Sequence, residues 1–130
     1  MKNRLLKTTK GKYKLTYVAE LTETDAISPK QDHLVCFLPG SLAFGYYHFN
    51  KKYQNNLNIP SHKGRPLDLI YKEHLEIAEK LARTCWFTHN TTETNLPPEI
   101  TYFELENEDP ELYIQPADRH NLLRPGSIRF

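Results

Sequence analysis

The sequence predicts a mainly α-helical protein with short β-hairpins. Two long stretches carry the helical signal: residues 66–85 place apolar side chains at helical spacing, and residues 33–48 are apolar almost all round. Short alternating segments bounded by turn-forming residues indicate the hairpins. At 130 residues the chain fits one ordinary domain.

A strand is the first predicted element, over residues 12–21, because apolar and polar residues alternate there. Its apolar side is formed by Tyr13, Leu15, Tyr17 and Ala19. The polar residues 22–30 that follow are typical of a turn region.

The second predicted element is a helix over residues 33–48. Small residues cluster in its middle, at Gly40, Ser41, Ala43 and Gly45, as in a buried helix packed closely on its neighbours. Pro39 lacks a backbone N–H, so we expect it to kink the helix or restart it. Residues 50–64 are polar and rich in turn-formers, and we expect an exposed loop there.

The third predicted element is a long helix that begins at Pro66, since proline is favoured at the first helical position. Its apolar stripe consists of Leu67, Ile70, Tyr71, His74, Ala78, Leu81, Ala82 and Cys85. Residues 88–98 are predicted to form a loop. Alternation then predicts short strands over residues 99–105 and 112–115.

Composition excludes several classes of function. The net charge of +1 leaves no electrostatic basis for binding nucleic acid or an anionic membrane. No apolar run approaches the roughly 18 residues of a membrane span. Residues 1–7 are basic but lack the apolar centre of a signal peptide.

Several polar residues are candidates for a site, each with a purely structural alternative. His33 follows Asp32, which is one arrangement of a base and its orienting carboxylate, but adjacent residues usually face different ways. Arg119 follows Asp118 in a polar turn, where a solvated ion pair is the simpler interpretation.

The cysteines and one asparagine add further candidates. Cys36 and Cys85 are the only cysteines, and the residues alone leave free thiols and a disulfide equally open. Asn90-Thr91-Thr92 is an N-glycosylation triplet in a stretch predicted to be a loop. Four other histidines show no ligand spacing and are predicted to lie on the surface or at helix flanks: His48, His62, His74 and His89.

Two blocks carry a resemblance to a known family. Residues 32–40 read DHLVCFLPG and residues 115–125 read QPADRHNLLRP, and both resemble motifs of the class I α-1,2-mannosidases, glycoside hydrolase family 47. The segments LTYVAEL at 15–21 and PEITYF at 98–103 are also similar to the family. The resemblance spans about residues 15–125, with residues 50–65 as an apparent loop insertion.

The resemblance implies a fold and a chemistry. The family fold is an (α/α)7 barrel, and its activity is calcium-dependent, inverting removal of α-1,2-linked mannose from high-mannose N-glycans. It implies substrate contacts for His33, Asp32, Arg119 and Arg124, and a disulfide between the two cysteines. The motif around residue 37 is more similar to the endoplasmic reticulum branch than to the Golgi branch, which implies a lumenal or membrane-anchored secretory location.

The same resemblance raises doubt about catalysis. The family's catalytic glutamate follows the Arg-Pro pair, and this sequence has Gly126 at that position. We also expect its other catalytic carboxylates and its calcium ligand to lie outside this chain. The expectation is therefore that residues 1–130 are an inactive central fragment of one catalytic domain, with a non-catalytic glycan-binding module as the alternative.

Overall fold

The computed structural model describes residues 4–54, 58–105 and 110–122. Their longest elements are two α-helices, α1 (Leu38–Tyr53) and α2 (Leu67–Asn90). The strands are short: β1 (Leu6–Thr8), β2 (Thr16–Val18), β3 (Glu20–Leu21), β4 (Ile27–Ser28), β5 (Lys30–Asp32), β6 (Ser61–His62), β7 (Arg65–Pro66), β8 (Ile100–Phe103) and β9 (Leu112–Tyr113). The prediction of long helices with short hairpins is confirmed, although the described residues close no barrel.

The strands form four small antiparallel sheets. Three are two-stranded, pairing β1 with β2, β3 with β4, and β6 with β7. The fourth has the order β5-β8-β9, so strands far apart in sequence meet in it. The prediction of one strand over residues 12–21 was too long, and β1 was not predicted, because three residues are too few for an alternation signal.

The strand core consists of Leu15, Tyr17, Ala19 and Phe103, all buried. The rings of Tyr17 and Phe103 stack with centroids 4.0 Å apart and planes 5° apart. Three of the four residues predicted on one side of the first strand therefore belong to the core. Tyr13 does not, because it lies in the turn before β2, where its ring packs on Phe87 at 4.6 Å.

A buried carboxylate ties the two ends of the described chain together. The Glu111 side chain accepts hydrogen bonds from the Thr9 hydroxyl and from the Tyr13 backbone N–H. The Thr9 hydroxyl in turn accepts from the backbone N–H of Leu15, at 2.8 Å. These bonds hold the turn before β2 against the segment that leads into β9.

Helix α1 begins where Pro39 was predicted to restart a helix. A 3₁₀ helix over His33–Phe37 comes first, and Pro39 lies in the first turn of α1. The prediction of a buried helix was wrong: Pro39 is the one residue of α1 that is buried, and Phe44 is 65% exposed. Helix α1 packs mainly on α2, where Phe49 stacks on Tyr71 at 4.5 Å, so only one of its sides is covered.

The segment predicted as a loop over residues 50–64 contains regular secondary structure. Helix α1 continues through Tyr53, and β6 and β7 form a hairpin before α2. Lys63 and Gly64 make its turn, both with positive φ (48° and 75°), the geometry of a tight hairpin turn that glycine adopts without strain. Residues 55–57 lie outside the described part.

Helix α2 confirms the predicted stripe and extends it. It begins one residue after Pro66 and ends at Asn90, inside the stretch predicted to be a loop. Thr84 and Thr88 are buried on its inner face, where the Thr88 hydroxyl donates to the Cys85 carbonyl at 2.8 Å. Within the described residues, no helix has the length and apolar character needed to cross a membrane.

Candidate functional site

The first block enters the structure at the end of β5. Asp32 pairs with Ile100 across the β5–β8 ladder, and the next residue, His33, opens the 3₁₀ helix. Gln31 anchors this strand, since its side-chain oxygen accepts from the Val18 backbone N–H at 2.9 Å. Strand alternation leaves Asp32 exposed and His33 only 5% exposed. The two side chains therefore face different environments.

The second block meets the first at one residue of the chain, Glu99. The Glu99 carbonyl accepts from the His33 backbone N–H at 2.8 Å. The Glu99 N–H donates to the carbonyls of Asp118 and His120, each at 3.0 Å. Segments some eighty residues apart are thus bonded to opposite ends of one residue.

Side chains fix the second block further. The Tyr102 hydroxyl donates to the Asp118 carboxylate at 3.0 Å, and the Asn121 amide donates to the Pro97 carbonyl at 2.7 Å. A 3₁₀ helix over Pro116–Asp118 turns the chain so that these bonds can form. The Asp118 carboxylate thus accepts a hydrogen bond from a tyrosine of β8. The simpler interpretation of the sequence had paired it with Arg119 at the surface.

These contacts change the pKa values of two residues in the β5-β8-β9 sheet. Burial, together with the hydrogen bond to Asp118, raises the pKa of Tyr102 above its ordinary value. On the neighbouring strand, the hydrogen bond to Glu20 raises the pKa of Lys30, and the two charged groups lie 2.8 Å apart. The phenol is thus neutral and the ammonium charged at physiological pH.

Arg119 is exposed and lies at the edge of an open cavity of about 670 Å³. Aromatic, hydroxyl and acidic side chains line that cavity, among them Tyr13, Phe87, Thr92, Glu111 and Tyr113. Such a mixture of flat apolar rings and hydrogen-bonding groups suits a polar ligand with apolar faces. Arg124 and Gly126, also singled out in the sequence, lie outside the described residues.

The disulfide implied by the resemblance is present. Cys36 and Cys85 are bonded, with Cα atoms 5.8 Å apart, and the bridge joins the 3₁₀ helix to α2 across 49 residues of sequence. That separation of Cα atoms is ordinary for a disulfide. The bridge holds the first block against the inner face of α2.

His89, predicted to lie on the surface or at a helix flank, is in the last turn of α2 and is half-buried, with its ring beside His33. The two ring centroids are 5.7 Å apart in an edge-on arrangement, and His89 Nδ1 is 3.2 Å from the Asn95 carbonyl. A sequence signal existed: His33 is one turn before Cys36, and His89 is one turn after Cys85. Any bridge between the cysteines brings the two histidines together.

Two further candidates have different outcomes. Asn90 is exposed and is the last residue of α2, so the loop predicted from residue 88 begins three residues later, at residue 91. As for calcium, the described residues contain no group of three His, Cys, Asp or Glu side chains that could hold a metal ion.

Comparison with known proteins identifies the class. Residues 1–129 match the model of glycosyl hydrolase family 47, and the chain belongs to that family. Membership implies the (α/α)7 barrel as the family fold, of which the described residues show two helices and small sheets.

Particular relatives carry more specific names. The endoplasmic reticulum mannosyl-oligosaccharide 1,2-alpha-mannosidase of Homo sapiens is 41% identical over 117 residues, which is 88% of this chain and 14% of the relative. Mannosyl-oligosaccharide 1,2-alpha-mannosidase MNS3 of Arabidopsis thaliana is 40% identical over 130 residues, covering 88% of this chain and 20% of the relative. The endoplasmic reticulum enzyme of Saccharomyces cerevisiae is 32% identical over 142 residues, covering 98% and 24%. The chain thus spans less than a quarter of the length of each of these relatives.

Proposed function

We propose that this chain is part of the catalytic domain of an α-1,2-mannosidase of the endoplasmic reticulum, where it contributes a surface that contacts high-mannose N-glycans. The observation that carries the proposal is the convergence on Glu99 of the two blocks that resemble the family. The relatives named above, all 1,2-alpha-mannosidases, support the substrate and the secretory location.

Each site residue has a role that its position supports. The exposed carboxylate of Asp32 can accept hydrogen bonds from sugar hydroxyls, and the exposed guanidinium of Arg119 can donate to them. His33 is buried and held by its backbone, which suits a group with a fixed orientation beneath the sugar. Arg124 joins this set on resemblance alone.

Hydrolysis itself needs more than these residues supply. Inverting glycosidases use two carboxyl groups about 6.5–9.5 Å apart, one to protonate the leaving oxygen and one to activate a water molecule. Gly126 replaces one of the family's carboxylates. Loss of a positioned acid or base lowers the rate by about 10²–10⁴-fold, so we propose that residues 1–130 alone hydrolyse no α-1,2-mannoside.

Gly126 also favours a second candidate function. A chain that retains polar sugar-contacting groups but has glycine at a catalytic position fits a non-catalytic glycan-binding module. The two candidates differ in one measurable respect: the module binds glycan by itself, whereas the fragment requires the rest of a catalytic domain. Calcium enters either proposal only through the family resemblance.

One experiment addresses both activity and binding. The 130-residue protein is incubated with a high-mannose glycan, and free mannose is compared with a heat-killed control; we expect no difference. Binding of an α-1,2-linked mannobiose is followed in parallel by amide chemical shifts. Shifts at Arg119 that are lost in Asp32→Ala, but retained in the Asp25→Ala control between β3 and β4, support the binding module.

The contradicting outcomes are separate. Mannose release above the control refutes the inactive assignment. Binding that is unchanged in Asp32→Ala and in Arg119→Ala refutes the assigned sugar contacts. Absence of any shift refutes the self-sufficient module and leaves the fragment.

A further inference from the structure

The outer face of α2 carries one conspicuous side chain. Its exposed residues recur at helical spacing: Leu69, Lys72, Glu76, Glu79, Lys80, Arg83, Trp86 and Asn90. The central part of this stripe is charged, as expected of a solvated helix face. Trp86 interrupts the pattern near the C-terminal end, with 62% of its surface exposed.

Asn90 lies one turn beyond Trp86 on the same face. Residues four apart in a helix have Cβ atoms about 5–6 Å apart. Because every Cα–Cβ bond in a helix tilts in the same direction, the two side chains project from one face, one above the other. Asn90 also begins Asn90-Thr91-Thr92, the single N-glycosylation triplet in the 130 residues.

We propose that Asn90 carries an N-glycan and that its first N-acetylglucosamine stacks on the indole of Trp86. A pyranose ring presents a face of C–H groups, which complements the electron-rich face of an aromatic ring. Stacking also removes apolar surface from water on both partners. The occupant of this exposed aromatic surface is thus part of the same molecule.

The sequon threonine determines when the glycan is added. In the folded chain the Thr92 hydroxyl has two carbonyl acceptors within reach of its one proton, that of Leu96 at 2.8 Å and that of His89 at 3.1 Å. The triplet is therefore held in a helix end and turn, with its hydroxyl already engaged. Attachment must precede folding of this turn, so the glycan is added during synthesis and not to the finished protein.

This inference rests on the secretory location proposed above, and its test separates the two. The full chain is synthesised behind an added secretion signal in the presence of microsomes, which delivers it to the lumen whatever its natural location. We expect one glycan, removable by peptide N-glycosidase and absent from Asn90→Gln and from Thr92→Ala. Folded protein given to microsomes afterwards should remain unmodified.

Trp86 is the only tryptophan, so its fluorescence reports the stacking directly. Because one of the two indole faces is covered, the acrylamide quenching constant should fall by about half in the glycosylated protein. Trimming to a single N-acetylglucosamine should keep this protection, and complete removal should abolish it. Since complete removal leaves an aspartate, Asn90→Asp made without a glycan is the matched control.

The contradicting results are distinct. Lack of any glycan on the delivered chain overturns the modification site and leaves the proposed mannosidase function untouched. A glycosylated protein whose quenching constant equals that of Asn90→Asp overturns the stacking. Protection that disappears on trimming to one sugar also overturns it, because the outer sugars then cover the indole.

Discussion

The strand core and helix α1 are both rich in aromatic residues, yet they use them in opposite ways. In the strand core, Tyr17 and Phe103 are stacked and at most 1% exposed. In α1, Phe44 and Tyr47 each expose more than half of their surface. The difference lies in geometry: alternation on paired strands sends apolar side chains to a shared layer, whereas residues spread around a helix are covered only where a neighbour lies. Apolar composition alone therefore does not make a core.

Replacing the same residue type in the two regions gives the largest expected contrast. Phe103→Ala removes a ring that is 1% exposed and should lower the free energy of unfolding by up to about 5 kcal/mol. Phe44→Ala, at 65% exposed, is the matched control and should change it by less than about 0.5 kcal/mol. Urea titration followed by circular dichroism measures both. Equal losses would mean that α1 is as well packed as the strand core.

Removing the disulfide tests how much the cross-link between the 3₁₀ helix and α2 contributes to the free energy of unfolding. The double variant Cys36→Ala with Cys85→Ala frees a loop of 49 residues, which by loop entropy should cost about 4 kcal/mol. Unfolding of the oxidised protein and of the variant in urea gives the difference. Reduction of the unmodified protein is the companion measurement. A loss of stability in the alanine variant but not on reduction would point to side-chain packing instead of the cross-link.

Alkaline pH should weaken the strand core selectively. Burial raises the pKa of Tyr17 from 10.0 to about 12, and no described residue hydrogen-bonds its hydroxyl. Tyr17 ionises at lower pH in the unfolded chain than in the folded protein. The contribution of its neutral form to the free energy of unfolding is therefore fully present below pH 10, and it falls by about 2 kcal/mol as the pH rises to about 12. Tyr17→Phe should remove this part of the dependence without destabilising the protein at neutral pH. A slope unchanged in that variant would assign the dependence to other groups.

The smallest predicted effect concerns the second block. Tyr102→Phe deletes the hydrogen bond to Asp118 and should cost about 1 kcal/mol. Amide exchange of residues 118–120 should quicken, because the bond holds their turn against β8. Tyr113→Phe is the control, since it also removes one tyrosine hydroxyl and its ring stacks on Tyr102 at 5.3 Å, while Tyr113 is 42% exposed. Faster exchange in both variants would show that the effect is not specific to the hydrogen bond with Asp118.

The sequence predicted those elements in which apolar residues recur at a regular helical or strand spacing. The stripe of α2 identified the helix, although its end at Asn90 was missed because Thr84 and Thr88 continue the buried face as polar residues. Their hydroxyls donate hydrogen bonds to helix carbonyls, so burying them leaves no hydroxyl without a partner. Because they are polar, the apolar pattern of the sequence does not mark them. Strand β1 was missed because its pairing with β2 is a property of tertiary structure.

The candidate site divides in the same manner. The two sequence blocks carried the resemblance to the family, and the resemblance in turn implied the disulfide. It could not predict their meeting at Glu99, because irregular backbone hydrogen bonds have no residue-type signature. The contact of His89 with His33 follows from the helical spacing of each histidine to its cysteine, and only once the cysteines are known to be joined.

The 49-residue separation closed by the disulfide has a consequence for variation in chain length. Both helix ends that flank the β6–β7 hairpin lie inside the covalent loop, so the disulfide between Cys36 and Cys85 tethers the connection in addition to its own contacts. Closure entropy grows only with the logarithm of loop length, so lengthening this loop by a third costs about 0.3 kcal/mol. The connection between α1 and α2 is therefore a place where residues can be inserted or removed, by evolution or by an engineer placing a probe, while both helices keep their positions.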